Sequence, residues 1–164
     1  MNGNVILKRS LWFLLIAGVI SLAASGIPKA QEKAPASQPM VEDAEWDGVK
    51  VELMSVERTS GNMLTIKFKY INGNSKEVDI NRLGRFNHDN MVDHVYYVDT
   101  KNKKKYLVVK DAEGKALGTN LQYFKLSPNE SKAAWGKFPE PPADVQKIAV
   151  YLPGVPPFED VPIR

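Results

Sequence analysis

Both histidines of the chain fall in one polar stretch, Asn87-His88-Asp89-Asn90-Met91-Val92-Asp93-His94, the densest concentration of groups able to do chemistry. Imidazole and carboxylate together suit zinc, manganese or iron. His88, Asp89, Asp93 and His94 therefore define one candidate, the site of a small metal-dependent hydrolase. The spacing matches no stronger signature such as His-Glu-x-x-His, and a calcium loop would want alternating acidic ligands around a central glycine. The abundance of Asn and Asp fits a solvated turn better, so the expectation is a surface loop with no metal and no cofactor.

The second cluster is basic. Lys101, Lys103, Lys104 and Lys105 lie near Tyr96, Tyr97 and Tyr106, and lysines interleaved with aromatics can grip an anionic polymer. At a hairpin tip the same lysines keep a strand edge soluble. Nucleophilic catalysis has little to build on, because there is no cysteine and no Gly-x-Ser-x-Gly elbow. Glu159 and Asp160 are adjacent, which sends their carboxylates to opposite faces of an extended chain. These absences point away from an enzyme.

The elements that must position such groups are strands. Val49, Val51 and Leu53 alternate with Lys50 and Glu52. Leu64, Ile66, Phe68 and Tyr70 alternate with Thr65, Lys67 and Lys69, one face apolar and the other wet. Ser60-Gly61-Asn62 supplies a reversal between them. Further strands are expected at 77–80, 94–99, 105–109, 121–126, 132–138 and 147–152, with turn residues between. Seven to nine short strands and no capped helical window make the fold class all-β, a two-sheet β-sandwich, with a small closed barrel as the alternative. Phe68, Tyr97, Trp135 and Ile148 are the expected core, Trp135 because Ala133, Ala134 and Gly136 leave room for an indole. Pro153 to Pro162 reads as a terminal edge strand whose Phe158 and valines fill the core; the alternative is a ligand for a partner's aromatic groove.

The N-terminus reads as a secretory signal over residues 1–26. Lys8 and Arg9 precede an apolar run from Leu11 to Ala24, and small residues follow. The run is shorter than the roughly 20 residues needed to span a bilayer, and no cysteine follows it for lipid attachment. Residues 27–44, with Pro28, Pro35 and Pro39 among Ala, Ser, Gln, Lys and Glu, read as a flexible linker. Residues 45–164 then form one domain. Of 22 basic residues, Lys8, Arg9 and Lys29 lie in the first thirty positions, which leaves nineteen against nineteen acidic ones. From residue 31 onward the chain is therefore net neutral, and a nucleic-acid partner, which needs a positive surplus, is not expected.

The segments GNMLTIKFKYIN, YYVDTKNKKKYLVVKDAEG, LSPNESKAAWGKFPEPPADVQKIAVYLPG and PPFEDVPI together resemble a group of uncharacterised bacterial extracytoplasmic immunoglobulin-like domains. The resemblance covers most of residues 49–163. It implies an immunoglobulin-like sandwich without the antibody disulfide, and it carries no catalytic residues to transfer. The combined expectation is a secreted or periplasmic, non-catalytic binding or assembly module of the cell envelope. Its partner would be an envelope protein or polymer, with the membrane touched only through the N-terminal segment before cleavage. The alternatives are the hydrolase at His88 to His94 and a binder of anionic polymer at Lys101 to Lys105.

Overall fold

A computed structural model describes residues 39–84, 86 and 89–164. The expected signal segment, nearly all of the expected linker, and Arg85, Asn87 and His88 lie outside the described residues. Among those described, no helix is long and apolar enough to cross a membrane.

The structure is a two-layer β-sandwich. In the first sheet, β1 (Met40–Asp43), β2 (Val49–Thr59), β3 (Met63–Asn72) and β8 (Ser131–Pro139) lie in that order, all antiparallel. The second runs β10 (Phe158–Pro162), β9 (Lys147–Tyr151), β5 (Tyr96–Asp99) and β6 (Lys104–Leu107). The two-residue strands β4 (Val78–Asp79) and β7 (Lys125–Leu126) form a separate ribbon. The chain crosses between sheets after β3, after β6 and after β8. Two open sheets with distinct edges replace the closed barrel held as the alternative.

Period-two patterning accounts for the first sheet. Leu64, Ile66, Phe68 and Tyr70 are all fully buried on one face of β3. In β2 the buried series Val49, Val51, Leu53 is odd-numbered, yet Val56 is also buried. A bulge between Leu53 and Ser55 reconciles them, because one extra residue resets which side faces inward. Met54, the inserted residue, is exposed. The β2–β3 turn places Gly61 and Asn62 at positive φ, as their types permit.

Trp135 corrects the expected core. Phe68, Tyr97 and Ile148 are buried as expected, but Trp135 is 40% exposed. On β8 the inward residues are Ala134, Gly136 and Phe138. Trp135 and Phe138 are three residues apart, so an alternating strand cannot send both inward. Phe138 occupies the core, edge-on to Tyr97 at 5.9 Å between ring centroids, and Gly136 carries no side chain because that ring lies within 3.3 Å of where a Cβ would be.

Other boundaries shift as well. The linker ends earlier than expected: Met40–Asp43 pairs with residues 50–53 of β2, since even a polar segment gains a hydrogen-bonded ladder at an open sheet edge. Residues 121–126 are largely turn, and strand only at 125–126. The stretch after β4 closes into a one-turn helix, α1 (Ile80–Leu83), whose first turn is capped by Asp79 accepting from the Arg82 amide at 3.0 Å. That bond, with Lys125 nearby, holds the Asp79 carboxyl below its usual range. β10 behaves as expected of the tail: it lies at a sheet edge, with Phe158 and Val161 buried and a bulge at residues 159–160 that places Asp160 at positive φ.

Buried polar groups join the layers. The Tyr70 hydroxyl donates to Pro153 O at 2.7 Å and that of Tyr97 to Pro139 O at 2.6 Å. Burial pushes both phenols well above their ordinary range, with Tyr106 and Asp99 adding to the effect at Tyr97. Arg58 reaches across to the β8–β9 loop, where its guanidinium meets the Glu140 carboxylate and the carbonyls of Pro141, Pro142 and Val145. Asn72, 1% exposed at the end of β3, donates to Lys76 O, Leu126 O and Ser127 O and accepts from the Asn74 amide.

Candidate functional site

The described candidates of the histidine loop, Asp89, Asp93 and His94, do not gather into one ligand set. Met91–His94 forms a 3-10 turn whose apolar members Met91 and Val92 are fully buried. Asn90 caps it, its Oδ1 accepting from the Val92 and Leu121 amides at 3.3 and 2.8 Å. Of the three described candidates, Asp93 turns to a lysine, whereas Asp89 and His94 lie near each other. Asp93 Oδ1 lies 2.8 Å from Lys110 Nζ. The His94 ring sits 4.9 Å from that of Phe86, and its Nε2 is 3.9 Å from Asp89 Oδ2. Among the described residues no three His, Asp or Glu side chains gather closely enough to hold a metal ion; His88 lies outside them.

A polar cleft of about 490 Å³ opens beside this loop, lined in part by Asp89, Asp93, Asp111 and Asn120. Turn chemistry builds it. Asp111 Oδ1 takes the amides of Glu113 and Lys115, and Asn120 Oδ1 takes that of Gln122. These side chains shape the backbone around them.

The lysine hairpin is tied down in a similar way. Fully buried Asp99 accepts from Asn102 N at 3.1 Å and Nδ2 at 2.6 Å, which closes the turn. Lys103 occupies the left-handed region at φ 53°. Lys101 pairs with Asp144 on the β8–β9 loop, and its ammonium holds that carboxyl below its usual range. Lys104 Nζ stands 4.8 Å from the centre of the Tyr106 ring, and Lys105 Nζ 3.6 Å from that of Tyr96. Lys101, Lys104 and Lys105 therefore turn to three different neighbours and do not gather on a single basic face.

Two aromatic features stand on the outer surfaces. On the first sheet, Trp135 faces solvent opposite Lys67 and next to Ala133. Its backbone is locked: the amide donates to Thr119 Oγ1 at 3.1 Å and the carbonyl accepts from Thr119 N at 2.9 Å. Gly118 makes this approach possible, since a Cβ there would lie 2.5 Å from Trp135 O. On the second sheet, Tyr96 and Tyr151 stack at 4.5 Å and 10°. They border an open cleft of about 340 Å³ together with Phe86, His94, Glu45 and Gly154. A signal for this pair was present in the sequence. Tyr97 and Val150 are core residues, so Tyr96 and Tyr151, each one position away, must point outward.

Comparisons with family models, with curated proteins and with solved structures return no match to this chain. What fold and surface define is a cysteine-free, all-β sandwich domain with aromatic side chains displayed on both outer faces.

Proposed function

We propose that the chain is an exported, non-catalytic binding module of the cell envelope, immunoglobulin-like in its topology, whose partner is another protein. The strand order supports the immunoglobulin-like reading: hairpin β2–β3 joins β8 in one sheet, while β6, β5, β9 and β10 form the other, with crossings between sheets after β3, β6 and β8. The charged start, apolar run and small-residue exit support export. Reading it as non-catalytic draws support from the cleft carboxylates, which serve a lysine at Asp93 and backbone amides at Asp111.

The observation that carries the proposal is Trp135, an indole held on a rigid strand yet 40% exposed. Tryptophan is among the residues most enriched at interface hot spots. Here it is flanked by small Ala133 and by lysines at positions 67 and 137, which give an apolar anchor a polar rim. With a photo-crosslinking residue at position 67 in intact cells, a discrete protein adduct is expected. Trp135→Ala should abolish that adduct while leaving the melting temperature nearly unchanged. An adduct of equal yield in the variant would remove Trp135 from the interface. Export has its own check: the exported protein should have the mass of a chain starting between about Ser25 and Gln31, and recovery of intact Met1 on it would refute cleavage.

A further inference from the structure

We infer that the open edges of the two sheets are complementary halves of one interface, with a second copy of this chain as the partner. The edge of β1 on one copy pairs with the edge of β6 on the next. Sheet order leaves these two strands outermost, β1 in the first sheet and β6 in the second. The opposite ends are closed. β8 is flanked by residues 117–119, where Lys137 N donates to Leu117 O and Thr119 N to Trp135 O. β10 is bulged at residues 159–160 and ends on Pro162, two devices that stop further pairing. Neither device occurs within β1 or β6. Among the described residues, each of these strands takes backbone partners from one neighbouring strand alone.

The phase of β1 fixes what its edge offers. Ala44 N donates to Val49 O at 2.9 Å, so Ala44, Glu42 and Met40 hold the hydrogen-bonded positions against β2. The backbone N–H and C=O of Val41 and Asp43 therefore point away from β2, to the open edge. Val41, 47% exposed, and Asp43 lie on the outer face, since Met40 packs on the core. On β6, Tyr106 is buried, which leaves Lys105 and Leu107 on the outer face.

One antiparallel register suits every position. Val41 faces Leu107 and Asp43 faces Lys105 on the outer side, while Glu42 lies diagonal to Lys104 on the other. Two exposed aliphatic groups cover each other, and the charges match in sign. Asp43 can take a second partner, because its 3.4 Å pair with Lys50 joins two largely exposed side chains. Residues 40–49 hold four acids and no base; residues 100–107 hold four lysines and no acid. Two β6 edges, or two β1 edges, would set like charges opposite one another, which is destabilising. Beyond β6, Val109 N bonds Lys137 O on β8, so β6 and β1 lie at opposite ends of the sandwich and one partner copy cannot reach both. The contact is head-to-tail, and such a contact continues past the dimer.

The test is sedimentation of the chain as recovered from its host. Wild type should associate with a Kd of about 0.1–1 mM, in keeping with a single short strand edge, and should pass beyond dimer as concentration rises. Raising salt from about 0.05 to 0.5 M should weaken association about tenfold. Val41→Pro should be monomeric: the Val41 N–H points to the open edge, so proline there blocks pairing and leaves the β1–β2 ladder whole. Lys105→Glu should associate about tenfold more weakly than wild type. Circular dichroism checks that both variants keep the wild-type fold. Mixed together, they should form a one-to-one complex and nothing larger, because each retains the edge that the other lacks. A wild type that stays monomeric at about 1 mM, that stops at dimer, or whose association survives both substitutions would overturn the inference. So would two folded variants that form no complex when mixed. Trp135→Ala should leave self-association unchanged; its loss in that variant would overturn the edge pairing, whereas failure of the edge pairing leaves the Trp135 interface untouched.

Discussion

Phe138→Ala is expected to destabilise the domain by about 3–5 kcal/mol, the usual cost of deleting a buried aromatic ring, while Trp135→Ala changes stability by no more than about 1 kcal/mol. The two residues share a strand and differ only in parity. Phe138 is fully buried and packs edge-on to Tyr97, whose own ring stacks on Tyr106 at 4.6 Å. Its loss opens a cavity where both sheets meet, and Gly136 alongside offers no side chain to fill it. Trp135 loses contact only with the outer face of the sheet. Urea unfolding followed by circular dichroism separates the outcomes. Equal costs, or the larger cost at Trp135, would mean that β8 is shifted by one residue, which would turn every side chain of the strand to the other face.

Asn72→Leu should cost at least about 3 kcal/mol, because its side-chain bonds have no substitute. The amide Nδ2 reaches three carbonyls, those of Lys76, Leu126 and Ser127, and Oδ1 receives the Asn74 amide at 2.9 Å. Each group left without a partner costs about 1–3 kcal/mol when buried. Asn72 ties the end of β3 to the turn after it and to the β4–β7 ribbon, so hydrogen exchange should accelerate first at residues 73–79 and 124–127. Asn72→Asp should be worse at neutral pH, where a carboxylate would face carbonyl oxygens. Its folded-state pKa would rise above the ordinary carboxyl value of about 3.9. The folded state then binds more protons than the unfolded one, and stability falls as pH rises from about 4 through the folded pKa. Stability that is independent of pH in Asn72→Asp would show that the side chain is wet.

The sequence by itself determined the fold class and most strand positions. Period-two burial at Leu64, Ile66, Phe68 and Tyr70 has one solution, an amphipathic strand with its apolar face inward, and Gly61-Asn62 has one ready use, a turn. The tail was legible for the same reason: Phe158 and Val161 among prolines suit a terminal edge strand. The lack of cysteine meant in advance that the domain must hold itself together by packing.

Tertiary structure decided what depends on neighbours distant in the chain. Alternation along residues 131–139 admits two registers, and only the facing sheet, with Tyr97 in place, selects Phe138 over Trp135. β1 brings only Met40 to the core; it exists because β2 offers an open edge. The polar stretch at residues 87–94 announced chemistry by composition, yet Asp93 is claimed by Lys110 and the capping Asn90 by the Leu121 amide, partners remote in sequence. The Tyr96–Tyr151 stack joins two strands 55 residues apart in sequence, adjacent only because β5 pairs with β9. Local pattern dictates which face of a strand is wet. Which wet residues meet is decided by sheet order, and sheet order is a property of the whole chain.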